Sequence, residues 1–64
     1  MKLNGKDFTL NASLSLTAFL EENGYKLTRV AAELNGEIIP KSVYSETMLK
    51  DTDVLEVVTF MGGG

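Results

Sequence analysis

The chain contains no cysteine and no histidine. The first absence excludes disulfide staples and thiolate catalysis. Together they remove the ligands of nearly every transition-metal site. Sixty-four residues make one domain, with no room for a second core. A domain of this size buries only about 60% of its extended-chain surface. Without a covalent or metallic staple the fold must rest on its apolar core, and 44% hydrophobic residues can supply one. Any sulfur chemistry has to proceed without a side-chain thiol, because Met1, Met48 and Met61 are thioethers.

Positive charge is also scarce. Six basic residues face nine acidic ones, for a net charge of −3. The half up to Thr28 is balanced, and the whole excess lies in the remainder, among Glu33, Glu37, Glu46, Asp51, Asp53 and Glu56. This is the wrong sign for a nucleic-acid or anionic-membrane binder, and it suits steering towards basic patches on other proteins. No apolar run approaches the ~20 residues that span a bilayer, and no signal-peptide pattern opens the chain. A cytoplasmic protein, monomeric when alone, is expected.

Glycine and proline punctuate what remains. Met1 to Leu3 is an apolar strand, and Asn4-Gly5 is a strong hairpin signal because both turn positions tolerate positive φ. Lys6 to Leu10 alternates, with Phe8 and Leu10 on one face. A loop over Asn11 to Leu14 leads to Ser15, a good N-cap. Leu16, Phe19 and Leu20 then form one stripe of a short helix that ends near Asn23, with Gly24 at the left-handed C-cap. A third strand, Val30 to Leu34, turns at Asn35-Gly36 into a fourth, Glu37 to Ile39, which Pro40 ends at a sheet edge. Lys41 to Lys50 is read as irregular, with Tyr44 and Leu49 as core plugs, before a last strand, Val54 to Thr59.

This order predicts an α+β domain: a mixed sheet of about five strands with one main helix across one face. The long return lets the last strand pair parallel to the first in the middle of the sheet, which is the β-grasp arrangement. Residues 1–59 form the domain, and 60–64 form a flexible C-terminal glycine tail. Leu55 and Val57 should pack under the helix with Leu3, Phe8, Phe19, Leu20 and Leu34. Glu56 marks the opposite face as solvated, which leaves Val58 and Phe60, and Met61 after them, as partner-binding candidates. The alternative is that the Lys41 to Met48 segment covers Val58 and Phe60.

The tail ends Gly62-Gly63-Gly64. Glycines have no Cβ, so such a run can thread a narrow cleft, and five extended residues reach roughly 17 Å. The terminal carboxylate is ionised and unreactive until activated, for example as a mixed anhydride with AMP. A frayed end is the other reading of such a tail. With no helix after them, the glycines are not a phosphate-cradling loop. Asp51 and Asp53 are read as turn caps, Glu21 and Glu22 as a solvated helix face, and Lys41 as a solvated lysine. No residues suggest a catalytic dyad, triad or metal site.

The runs Val30 to Lys41, containing Asn35-Gly36-Glu37-Ile38-Ile39-Pro40, and Leu49 to Gly64 resemble the ThiS family, sulfur carrier proteins of thiamin biosynthesis with a ubiquitin-like β-grasp fold. Ser15 to Glu22 fits the family's helix less specifically. Thr52 departs from the pattern, since the family usually has glycine in that turn. The resemblance implies that Gly64 is adenylated by a ThiF-type enzyme using ATP, with no cofactor bound by this chain. Persulfide sulfur, supplied from cysteine by a desulfurase, would convert Gly64 to a thiocarboxylate. That sulfur would pass to thiazole synthase, with Gly62 and Gly63 threading the partners' active sites. The chain itself would not be an enzyme. A molybdopterin-synthase-type carrier subunit, a ubiquitin-like protein modifier and an interaction module without chemistry are the alternatives.

Overall fold

In the computed structural model, which describes residues 1–60, both Asn-Gly pairs form tight turns. Asn4 and Gly5 have φ of 51° and 82°, and Asn35 and Gly36 have 52° and 85°. Two successive positive φ values are what a two-residue hairpin needs to match the right-handed twist of its strands. The first turn joins β1 (Lys2–Leu3) to β2 (Lys6–Asp7), antiparallel, with Lys2 opposite Asp7. The alternating run to Leu10 does not all become strand. Phe8 still donates its N–H to the Met1 carbonyl, but the Leu10 N–H turns to the Asp51 carboxylate at 2.9 Å. A long-range side-chain acceptor there replaces a sheet partner.

β3 (Leu14–Ser15) runs into the helix α1 (Leu16–Glu22). The Ser15 Oγ accepts from the Ala18 N–H at 3.1 Å, so Ser15 is the N-cap. At the other end Gly24 has φ of 81°. The Gly24 N–H then reaches the Glu21 carbonyl and the Tyr25 N–H the Leu20 carbonyl, the paired bonds of a Schellman cap. Glu21 and Glu22 are exposed. A 3₁₀ helix at Leu27–Arg29 precedes β4 (Val30–Leu34), and the second Asn-Gly turn leads to β5 (Glu37–Ile39).

The Lys41 to Lys50 segment, expected to be irregular, is more ordered than that. It forms a 3₁₀ helix, Lys41–Glu46, and then β6 (Met48–Leu49), which pairs with β3 in a separate two-stranded sheet. The loop expected over Asn11 to Leu14 correspondingly ends one residue early. Two-residue strands contain one alternation each and leave no period to read. β7 (Val54–Thr59) completes the main sheet, whose order is β2-β1-β7-β4-β5. β7 lies parallel to β1 and antiparallel to β4, at the centre, and β5 is an edge, as Pro40 suggested. This is the β-grasp arrangement.

The core lies between α1 and the inner face of the sheet. Leu16, Phe19 and Leu20 meet Val30, Ala32, Leu55 and Val57, with Tyr44 and Leu49 closing the side. Leu3, Phe8 and Leu34 pack at its margin, and Phe8 meets Phe19 edge-to-face at 5.3 Å. The buried Tyr44 hydroxyl accepts from the Ala32 N–H at 3.0 Å, so this core phenol is satisfied.

The asparagines do more than turn the chain. β1 stops at Leu3, and beyond it the Asn4 Oδ1 accepts from the Val57 N–H at 2.7 Å. The Asn35 Oδ1 accepts from the Val54 N–H at 2.8 Å, while its Nδ2 donates to the buried Asp53 carboxylate at 3.0 Å. Asp53 also accepts from the Lys50 N–H, capping the turn before β7. Thr52 in that turn has negative φ, so a β-branched residue fits where glycine was the expectation.

Asn35→Ala removes two side-chain hydrogen bonds and a residue suited to positive φ. It should cost about 2–3 kcal/mol of unfolding free energy, read from the urea midpoint at unchanged slope. A loss below about 0.5 kcal/mol would show that these bonds contribute nothing net.

Candidate functional site

β7 alternates from Val54 to Val58. Leu55 and Val57 face α1 and are buried, while Val54, Glu56 and Val58 face the other way and are exposed. Phe60 follows on that outer side, 54% exposed, and Val58 is 58% exposed. Neither the 3₁₀ helix at Lys41–Glu46 nor β6 covers them. The Phe60 N–H donates to the Arg29 carbonyl at 2.7 Å, so the backbone stays tied to the sheet one residue beyond β7. Val58 and Phe60 therefore stand where sequence placed them, at the end of the central strand. Met61, Gly62, Gly63 and Gly64 lie outside the described residues.

Register brings further side chains to this face. Ala31 of β4 lies opposite Val58, and Glu33 lies opposite both Glu56 of β7 and Ile38 of β5. Ile38 is 77% exposed. Ala31, Ala32, Glu33, Ile38, Glu56 and Val58 line a shallow groove of about 330 Å³. The outer face is thus an apolar patch crossed by two facing carboxylates. A second concavity, of about 320 Å³, lies on the helix side between Phe8 and Asn23, away from the end of β7.

The Glu33–Glu56 pairing was not legible in sequence. Each residue reads separately as an outward position on its strand, and only the β4–β7 register sets them side by side. The Glu33 carboxyl is raised above its ordinary range. The main cause is its hydrogen bond with the Glu56 carboxyl; partial burial and like-charge repulsion add to it. Lys2, opposite Val54 in the β1–β7 register, is engaged elsewhere, for its Nζ lies 2.6 Å from Asp7. That contact, first by hydrogen bonding and then by charge, lowers the Asp7 carboxyl. Asp51 is lowered too, first by the Leu10 N–H and then by the Met1 ammonium at 2.9 Å. Asp53 caps its turn as expected, accepting from the Lys50 N–H, whereas Asp51, also read as a turn cap, instead accepts from the distant Leu10 N–H and Met1 ammonium. Among the described residues no group of three or more carboxylate ligands could hold a metal. No helix there is long and apolar enough to cross a membrane.

These shifts act in opposite senses. Folding raises the affinity of Glu33 for a proton, so the pair opposes folding above the folded-state pKa and stops doing so as pH falls through it. Asp7 and Asp51 favour folding above the ordinary aspartate range and lose that effect as pH falls below it. Glu56→Gln should therefore raise the thermal midpoint at pH 7, and the gain should shrink as pH drops through the glutamate range. A midpoint unchanged at both ends of that titration would remove the repulsion.

The family model of the ThiS family matches residues 1–64. The chain is 41% identical over 66 residues to the sulfur carrier protein ThiS of Bacillus subtilis, covering all of this chain and 98% of that one. It is 44% identical over 62 residues to a thiazole synthase of Paramagnetospirillum magneticum. There the match takes in 97% of this chain but only 19% of the relative, so the chain spans about a fifth of that protein's length. The crystal structure of the thiamine biosynthesis protein ThiS from Geobacter metallireducens superposes with a TM-score of 0.82 at 36% identity, over 98% of this chain and 96% of that one. On fold, length and sequence alike, the chain belongs to the ThiS family.

Proposed function

We propose that this chain carries sulfur as a thiocarboxylate on Gly64 and delivers it for assembly of the thiazole moiety of thiamin. The observation that carries this reading is the end-to-end likeness to the Bacillus subtilis sulfur carrier protein. The absence of cysteine agrees with it, since a thiocarboxylate stores sulfur on the main-chain terminus.

The chemistry divides between this chain and its partners. A ThiF-type enzyme brings ATP, and a Gly64 carboxylate oxygen attacks the α-phosphorus and displaces pyrophosphate. The terminal sulfur of a persulfide, loaded from cysteine by a desulfurase, attacks the acyl carbon and displaces AMP. A second thiol on the donor side then cleaves the S–S bond, forming a disulfide and leaving the thiocarboxylate. Thiazole synthase accepts the sulfur. The curated relatives that bear that enzyme's name, and contain a segment like this chain, support it as a partner.

This chain's own contribution is positional. Residues 1–59 are the β-grasp body and 60–64 the tail, whose first residue, Phe60, is tied to the body by its N–H bond to the Arg29 carbonyl, and in which Gly62 and Gly63 present no side chain to a narrow cleft. Val58, Phe60 and Met61 dock the body, so that the terminus enters the partner's active site. The chain binds no cofactor, catalyses nothing alone and works in the cytoplasm.

Incubation with ATP, a ThiF-type enzyme, a cysteine desulfurase and cysteine should raise the intact mass by the replacement of one oxygen by sulfur, mapped to Gly64. An unchanged mass, with those partners active on another carrier, would overturn the reading. Recovery of Gly64 in isopeptide linkage to lysines would replace it with the protein-modifier alternative. Stable association with a molybdopterin synthase large subunit, and none with thiazole synthase, would redirect the sulfur. Deleting Gly63 and Gly64 should abolish loading while leaving the thermal midpoint in place; retained function would point to an interaction module. Phe60→Asp should raise the KM for this chain in the adenylation assay several-fold with little change in kcat, and an unchanged KM would remove Phe60 from the interface.

A further inference from the structure

We propose that Glu33 and Glu56 together form a receptor for one arginine guanidinium on the protein that docks against this sheet face. The proposal deepens the docking role given above to Val58 and Phe60, and rests on it. It begins from register. Arg29 and Phe60 are joined by a main-chain bond, and so are Asn35 and Val54. Alternation along the antiparallel β4–β7 ladder then makes Glu33 and Glu56 a hydrogen-bonded pair, whose Cα atoms stand about 5.5 Å apart. Both side chains leave the sheet on the outer face and line the same groove.

The surroundings decide what such a pair can accept. Ile38 lies beside Glu33 across β5, and Ala31 and Val58 form the next row towards Phe60, so the carboxylates sit inside an apolar patch. Among the described residues neither carboxylate has an ion-pair partner: Lys2 is held by Asp7, and Asp51 binds the Met1 ammonium. A partner that covered Val58 and Ile38 without a cation would bury the paired carboxyls with their negative charge uncompensated, a heavily unfavourable act. A docked partner must therefore supply the missing positive charge at this spot.

The geometry favours one kind of cation. Two carboxylates with no third oxygen ligand beside them are a poor metal cage, and no metal-holding group occurs among the described residues. An ammonium is a compact, strongly hydrated point charge. A guanidinium is planar, carries five donors in a fixed fork, sheds water more readily and lies well against apolar side chains such as Val58 and Ile38. It can serve both carboxylates from one position. The chain's net charge of −3 adds long-range attraction to a basic partner surface.

The receptor has a signature that a purely structural pair lacks, because removing its charge should help the fold and harm docking. The test is ATP–pyrophosphate exchange by a purified ThiF-type adenylating enzyme, with this chain as the varied substrate. It compares the native chain, the double variant Glu33→Gln/Glu56→Gln, and Glu46→Gln, which removes an exposed charge from the Lys41–Glu46 helix. The double variant should raise KM at least tenfold at low salt with kcat unchanged, and high salt should bring the native chain towards it. Its thermal midpoint at pH 7 should equal or exceed the native one, and Glu46→Gln should leave KM within twofold. A KM for the double variant equal to or below the native value, with the native chain adenylated normally, would overturn the receptor and leave the carrier function intact. No adenylation of the native chain, with the enzyme active on another carrier, would overturn the carrier reading and the receptor with it.

Discussion

The Val57 N–H donates to the Asn4 side chain at 2.7 Å, and the Val54 N–H to the Asn35 side chain at 2.8 Å. These two bonds let a six-residue strand sit at the centre of a sheet whose first strand is only two residues long. A central strand needs partners on both edges, and an unpaired buried N–H costs about as much as a lost hydrogen bond. β1 serves β7 as far as Leu55, through the bond from the Asn4 N–H to the Leu55 carbonyl. The Asn4 side chain then extends that edge by one more acceptor. At the start of β7, Asn35 binds Val54 and Asp53 together, and Asp53 holds Lys50. The residues that make the two hairpin turns are thus also the clamps of the strand that neither turn contains.

Everything functional follows from how β7 is held. With its register set on both sides, Leu55 and Val57 must face α1, and Glu56, Val58 and Phe60 must face out. A slip of one residue would exchange the two sets and place Glu56 in the core. The outer face carries an apolar patch that a small domain does not need for its own stability, and a pair of carboxylates that works against it. Such a face is retained when its energy is recovered elsewhere, in a complex. The Glu33–Glu56 pair lowers the stability of the chain alone, and it does so on the surface proposed to meet a partner.

Much of this was legible in the residues. The Asn-Gly pairs, Ser15, Gly24 and Pro40 each act through local backbone chemistry, and each occupies the position its chemistry prefers. The length of the β7 run and its clean alternation made its two faces readable, and Tyr44 and Leu49 stood out as apolar residues in a polar stretch. What escaped was whatever depends on contacts distant in sequence. The β3–β6 pair is too short to have a period. In the β1–β2 register Phe8 stands opposite Met1, and the Leu10 N–H beyond it goes to Asp51, 41 residues on, rather than to a strand neighbour. Thr52 departs from the family pattern at no cost, since its turn has no positive φ. Glu33 and Glu56 become a pair only through register, which no single strand reveals.

The same reasoning bears on why a reactive terminus would be placed after this strand rather than on a loop. A terminus that must enter a partner's active site gains from a root whose position is settled before docking, because the search is then confined to the tail's own few bonds. The Phe60 N–H, held by the Arg29 carbonyl, is the last such fixed point among the described residues. It lies next to Val58 on the face proposed to dock. Docking at that face and delivery from that root are therefore geometrically one event. A substitution that loosened the root, without touching either the patch or the glycines, would leave affinity nearly intact and slow the chemistry instead. Rigidity at the root and slimness beyond it would act on different steps, the first set by how the last strand is clamped and the second by the glycines.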